Sequence, residues 1–391
     1  MKPNNSKTNK ISNRNTVLKI LALNSPVSRI ELSRITGLSK MSLTNIISEF
    51  NELGFIKEKG LDVEATGKRK PVLLELTEKC ICAIGINITR NYTEGCLTDI
   101  TGKILYNKRV EYSDLNKDML LDIVISLVGK IVNLGENNIV GIGISCIGPL
   151  DIENGIILSP TKFYGIENLN ITEPVTDAFK LPAFLYKNTN CAVLAEKYYG
   201  LGKDKENFIY ISVTKGVGCA AVVNGHQLLG KSGHACEIGH MSVNPDGEAC
   251  ACGNRGCLEL YSNTVNTVNK FNQAVRDGAK TSVSGKINFD KIVEGASNGD
   301  HLSSAILDDM CKYMAVGIVS AINTFDPETV IIGGDVATGG TELIKRLTNF
   351  VGNKPFPMKR HDVDIVISEF FDKAPLIGAA AIVFENMYFS N

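Results

Sequence analysis

Between His240 and Cys257 the chain reads His-Met-Ser-Val-Asn-Pro-Asp-Gly-Glu-Ala-Cys-Ala-Cys-Gly-Asn-Arg-Gly-Cys. His240, Cys250, Cys252 and Cys257 offer one imidazole and three thiols, the donor set of a closed, tetrahedral structural zinc (Zn2+) site. Pro245-Asp246-Gly247 is a turn sequence that brings His240 back to the cysteines, and Gly253 and Gly256 let the backbone bend around an ion. Three cysteines within eight residues, punctuated by glycine, set this run apart from ordinary buried thiols. His234 and Cys236 lie nearby but in the wrong register to join the set.

A second chemically loaded cluster stands near the N-terminus. Ser39, Lys40, Ser42, Thr44 and Asn45 are all donors or acceptors, and Lys68 and Arg69 add charge further on. Residues 1–79 hold 14 Lys and Arg against 8 Asp and Glu, a net of +6. The remaining residues hold 27 against 34, a net of −7. A basic head on an acidic body suits contact between the head and a polyanion such as double-stranded DNA.

The elements around this cluster predict how it is presented. Val17, Leu18, Ile20 and Leu21 mark a first helix over Thr16 to Leu23, which Pro26 separates from the next. Ser28-Arg29-Ile30-Glu31 has the form of a capping box, so a second helix runs from Ser28 to about Thr36. Gly37-Leu38 makes a tight turn, and Ser39 caps a third helix that buries Leu43, Ile46, Ile47, Phe50 and Leu53 before stopping at Gly54. Two helices joined by a short glycine turn form a helix-turn-helix, whose second helix enters the major groove with its N-terminal residues. A strand at Phe55-Ile56, a basic tip at Gly67-Lys68-Arg69-Lys70 and a strand over Val72 to Leu76 complete a wing.

From Cys80 onward the texture is α/β. Strands are expected at Ile81–Ile86, Gly95–Ile100, Ile104–Tyr112 and Ile139–Ile147, with a helix near Asp118–Leu134. The order recurs with strands at Phe208–Val213, Cys219–Val223, Thr329–Ile332 and Asp364–Ser368, and with helices at Ser303–Asn323 and Pro375–Glu385. Strand clusters followed by crossover helices, twice over, predict two α/β lobes with a cleft between them. No apolar run reaches the roughly 18 residues that a membrane span needs, and the polar start MKPNNSKTNK lacks the apolar core of a signal peptide. A cytoplasmic protein with no membrane partner is the expectation, its eleven cysteines serving as free core thiols or metal ligands.

The body resembles the ROK family (repressor, open reading frame, kinase). The resemblance rests on Gly-Ile-Gly-Ile-Ser-Cys-Ile-Gly-Pro at 141–149, Glu237-Ile238-Gly239-His240, the Cys-x-Cys-Gly-x-x-Gly-Cys run at 250–257, and Gly256-Cys257-Leu258-Glu259. It covers residues 80 to the end. With the head added, the chain looks like the repressor branch, which includes xylose and N-acetylglucosamine repressors. The resemblance implies an α/β, two-lobed, actin-like body of the sugar kinase (hexokinase) kind behind a winged helix-turn-helix. The expected domains are 1–79 for the head, 80–187 plus 375–391 for the first lobe, and 188–374 for the second lobe with the zinc site.

Departures from the family pattern bear on activity. ROK kinases carry Asp-x-Gly-Gly-Thr after the first strand, where this chain has Asn87-Ile88-Thr89-Arg90. Their second phosphate loop, Gly-Thr-Gly, reads Thr214-Lys215-Gly216, while Gly333-Gly334 on the nucleotide side is kept. The catalytic aspartate of an Asn-Asp-x-Asn run is replaced by Asn188 in Lys187-Asn188-Thr189-Asn190, and an amide cannot accept the sugar hydroxyl proton. Loss of base and phosphate loop together predicts no enzyme activity. Glu237, His240 and Glu259 match family positions that bind sugar hydroxyls, and Lys187 and Asn188 belong to the same site by alignment. Lys187 and Lys162 stand where the family has asparagine, so a sugar phosphate fits the chemistry as well as a sugar does.

The implied function is transcription control of carbohydrate-use genes by a homodimer, or a dimer of dimers, on a palindromic operator. The rival from another class is an ATP-dependent sugar kinase with a DNA-binding head, which needs the base that Asn188 replaces. A regulator released by a protein partner rather than a sugar is a third reading.

Overall fold

The computed structural model describes residues 6–61, 70–77, 80–135, 138–352, 354 and 362–389. These fall into two compact units, one within Met1–Tyr186 and Leu376–Asn391, the other within Lys187–Pro375.

The first unit begins with three helices, Ser6–Asn24, Arg29–Thr36 and Lys40–Glu52. The first is longer than its apolar stripe predicts, because the polar turns before Thr16 continue the helix. Ser28 caps the second helix by accepting the Glu31 N–H at 3.2 Å, and Gly37 ends it with φ +66°. Val17, Leu18, Leu21, Leu32, Leu43, Ile46, Ile47 and Phe50 form the shared core. Leu53, expected in that core, is half exposed at the helix end, where Gly54 turns the chain with φ +69°. Three antiparallel strands follow in the order Val27–Ser28, Val72–Leu76, Ile56–Leu61. The short Val27–Ser28 strand escaped prediction because two residues carry no periodicity.

Beyond the head lies a five-stranded sheet in the order Ala183–Lys187, Ile139–Cys146, Cys82–Ile88, Tyr92–Asp99, Ile104–Glu111. The helix Lys117–Val132 packs Leu120, Val124, Leu127 and Val128 into its core. The helix Ala374–Phe384 crosses the sheet at very close range. A Cβ on Gly143 would lie 1.7 Å from the Ala379 carbonyl oxygen, and one on Gly85 would lie 2.5 Å from that of Leu376. The alternating glycines of the 141–149 motif are therefore a packing requirement.

The second unit repeats the plan. Its sheet runs His226–Gln227, Val217–Val223, Phe208–Val213, Thr329–Gly333, Asp364–Ile367. Numbered along the chain, the strands of both sheets are ordered third, second, first, fourth, fifth. That is the duplication expected from the sequence. Helices Asn188–Tyr199, Thr264–Arg276, Phe289–Ser297, His301–Phe325 and Gly340–Val351 surround this sheet. All eleven cysteines are free, and Cys80, Cys82, Cys96, Cys146, Cys191, Cys219 and Cys311 are buried outside the metal-like cluster. Burial pushes the Cys146 thiol up to about 12, which makes it inert. Among the described residues no helix is long and apolar enough to cross a membrane.

Candidate functional site

The Lys40–Glu52 helix buries Leu43, Ile46, Ile47 and Phe50 and turns its opposite face outward. Ser39 caps it, its Oγ accepting the Ser42 N–H at 3.2 Å and lying 3.0 Å from Ser42 Oγ. Thr44 Oγ1 donates to the Lys40 carbonyl at 2.8 Å. Three of the five polar groups predicted here thus also serve the helix itself. Lys40, Met41 and Asn45 are exposed, Met41 at 78%. A search for polar groups passes over Met41. In the wing, Glu75 lies 3.1 Å from both Lys57 and Lys59, and these ammonium groups hold its carboxyl below the usual range. Lys68 and Arg69, expected at the wing tip, lie outside the described residues.

The ligand atoms of His240, Cys250, Cys252 and Cys257 all lie within 4.8 Å of one another, a grouping that could hold a metal ion. Cys250 Sγ is 3.9 Å from His240 Nδ1, and Cys252 Sγ is 3.7 Å from Cys257 Sγ. The loop is built for this. Gly253 N–H bonds the Cys250 carbonyl at 3.0 Å, Cys250 N–H bonds that of Asn254 at 2.8 Å, and Asn254 Nδ2 donates to the His240 carbonyl at 3.0 Å. Gly256 has φ +62°, and a Cβ there would fall 1.6 Å from the Asn244 oxygen. Burial and the neighbouring sulfurs of Cys250 and Cys252 push Cys257 up to about 12, whereas the Asn254 backbone amide lowers Cys252. Three thiols so close cannot ionise together unless a cation sits among them, the condition a metal ion satisfies.

Two carboxylates flank the cluster along the chain. Glu237 precedes the one-turn helix Ile238–His240, and Glu259 lies two residues beyond Cys257 in the turn Leu258–Tyr261. Lys187 Nζ lies 2.5 Å from Glu237 Oε1. Glu259 Oε2 accepts the Val217 N–H at 3.2 Å and closes on Gly216, where a Cβ would sit 2.4 Å away. Asn188 Oδ1 accepts the adjacent Thr189 N–H at 2.9 Å. These residues all belong to the second unit. Lys162 belongs to the first, with φ +55°.

Residues 83–386 match the model of the ROK family. The chain belongs to the ROK family. It is 27% identical over 378 residues to a xylose repressor of Bacillus spizizenii, covering 96% of this chain and 95% of that one. It is 26% identical over 372 residues to an N-acetylglucosamine repressor of Escherichia coli O157:H7, covering 94% and 91%. A solved ROK family transcriptional regulator, a homolog of the E. coli MLC protein, superposes with a TM-score of 0.83 at 26% identity, covering 97% and 98%. A ROK family glucokinase from Streptomyces griseus shares the fold, with a TM-score of 0.69 and 22% identity, but covers 77% of this chain. The full-length similarities are thus to regulators, head included.

Viewed as a ROK body, the structure explains what replaced the kinase loops. Asn87 is buried and accepts the Ser145 hydroxyl at 3.0 Å. Thr89 closes the following turn, its Oγ1 accepting the N–H groups of Asn91 and Tyr92 and donating to the Tyr92 carbonyl at 2.8 Å. Those backbone amides are spent on a hairpin turn. Gly333 and Gly334 are explained by packing: a Cβ on the first would lie 2.0 Å from the Tyr210 hydroxyl, and the second has φ +82°.

Proposed function

We propose that this ROK family chain is a sequence-specific, DNA-binding transcription repressor of carbohydrate-use genes, relieved by a sugar and devoid of kinase activity. The observation that carries this reading is the outward face at the start of the Lys40–Glu52 helix, set on a basic head in a chain that aligns over 96% of its length with a repressor. Lys40 and Asn45, with Lys68 and Arg69, read and grip the duplex, and Ser39, Ser42 and Thr44 hold the reading helix in shape. The protein works in the cytoplasm as a homodimer, or a dimer of dimers, on a palindromic site.

The effector occupies the second unit at Glu237, His240 and Glu259, next to Lys187 and Asn188. Glu237 already compensates the Lys187 charge, which favours a neutral sugar over a sugar phosphate. The names of the relatives make xylose and N-acetylglucosamine the first sugars to try. Zinc holds His240, Cys250, Cys252 and Cys257 together. Zinc–sulfur bonds of about 2.3 Å give a tetrahedral sulfur–sulfur edge of about 3.8 Å, and the 3.7 Å between the Cys252 and Cys257 sulfurs supports that geometry. When bound, the ion neutralises the thiolates, so the loop keeps the two flanking carboxylates in place.

The test is selection of duplexes from a random pool by the purified full chain, followed by gel shifts with and without each sugar. An enriched palindrome whose binding a sugar weakens is expected. Specific binding that survives deletion of residues 1–79 would overturn the reading, and so would ADP release at more than about 1 s⁻¹ with any common aldose.

A further inference from the structure

The reading helix carries one side chain that no polar contact explains. Met41 sits in its first turn and is the most exposed large apolar side chain among the described residues, at 78%. With about 3.6 residues per turn, Met41, Asn45 and Ser48 share the face opposite the buried Leu43, Ile46, Ile47 and Phe50. The neighbouring hydroxyls of Ser39, Ser42 and Thr44 are engaged in helix capping and back-bonding, so they do not crowd Met41 with competing contacts. An unbranched, polarisable side chain held away from its own core at the groove-entering end of a recognition helix has one apolar target in the major groove, the C5-methyl group of thymine.

We propose that Met41 is a specificity-determining residue that selects a thymine in each operator half-site by contact with its methyl group. This inference rests on the DNA-reading function proposed above and adds to it the base read by an apolar contact. Met41 reads the methyl, Asn45 a base edge one turn further along, and Lys40 a phosphate, so these three side chains divide shape, hydrogen bonding and charge among them.

The test is a two-way cycle on the operator selected by the full chain. Each thymine is replaced in turn by deoxyuridine, which removes only the methyl, and binding is measured for the native protein, Met41→Ala and Met41→Leu. One thymine per half-site should prove sensitive, its loss weakening the native protein roughly three- to tenfold, the scale of one or two buried methyl-sized groups. Met41→Ala should bind the unmodified operator more weakly by a similar factor and be indifferent to deoxyuridine there. Met41→Leu, still apolar, should keep the methyl sensitivity. If the native protein and Met41→Ala respond alike to every replacement, the inference is wrong while DNA reading stands. If no sequence is enriched in the selection, the reading it rests on falls with it.

Discussion

Lys187 Nζ and Glu237 Oε1 stand 2.5 Å apart, on side chains that are 13% and 35% exposed. The pair joins the start of the Asn188–Tyr199 helix to the turn that delivers His240 to the metal-like cluster. Each of the two largely shielded charges thus has its counter-charge in place.

Glu237→Gln keeps the shape and one acceptor but leaves Lys187 without its counter-charge. Its stability should fall by about 1 kcal/mol, a charged hydrogen bond discounted for partial solvent access, as read by urea denaturation. Its response to the inducing sugar should weaken at least tenfold in gel-shift titrations. Affinity for DNA without sugar should stay within about twofold, because the reading head belongs to the other unit. Unchanged induction would remove Glu237 from the effector site.

The metal cluster makes a separate prediction. Cys252 is exposed, so replacing it by serine removes little packing. An ordinary surface change costs within about 0.5 kcal/mol. If Cys252 is a zinc ligand, Cys252→Ser should instead cost about 2 kcal/mol or more and lower the metal content well below one zinc per chain. Elemental analysis and thermal unfolding, with and without a chelator, measure both. Full zinc and full stability in the variant would refute the assignment.

How far these sites were legible in the sequence depends on the range of the forces that set them. The metal-like cluster needed only local spacing, and its four ligand atoms lie together as that spacing predicts. The Ser28 and Ser39 caps are equally local. The strands at Val72–Leu76 and Phe208–Val213 appear at their predicted bounds, because each is a short apolar run, the second of them buried almost throughout. What spacing could not supply was pairing across distance. Lys187 and Glu237 are fifty residues apart, and although the family resemblance assigns both to one site, nothing in their spacing foretells that they pair with each other. The tight crossing at Gly143 is equally invisible, since the helix that demands it begins at Ala374. Met41 was missed for a different reason: an exposed apolar residue has no pattern until its helix face is known.

Asp300 gives a pH-dependent prediction. It caps the 25-residue helix His301–Phe325, its carboxylate accepting the N–H groups of Ser303 at 2.8 Å and Ser282 at 2.7 Å, and the Thr281 hydroxyl at 2.9 Å. Burial raises its pKa, but these donors outweigh burial and hold it far below the usual carboxylate range. A folded pKa below the unfolded value of about 3.9 means that the stabilisation is complete above that pH and is lost as pH falls from there through the folded pKa. Asp300→Ala should cost about 1–2 kcal/mol near neutrality, the upper range for a lost cap. The gap between variant and native protein should stay constant from about pH 6 to about pH 4.5 and narrow as denaturation is followed on towards about pH 2.5. A gap that is constant with pH would show that the carboxylate charge plays no part.

The polar groups of the reading helix should separate by role under mutation. Asn45 is exposed on the outward face, so Asn45→Ala should weaken operator binding by about 1–3 kcal/mol and relax preference at one position. Lys40→Ala should weaken binding to all sequences alike and reduce the salt dependence by about one counterion. Ser39→Ala should behave differently from both. Its Oγ caps the helix, so its loss should lower stability by about 1 kcal/mol and reduce affinity for every sequence without changing the preferred base. Unfolding curves, together with gel shifts on a panel of single-base operator variants at two salt concentrations, distinguish the three patterns. A change of base preference in Ser39→Ala with none in Asn45→Ala would mean that the helix meets the groove by a different face, and that the outward stripe of Met41, Asn45 and Ser48 is not the reading surface.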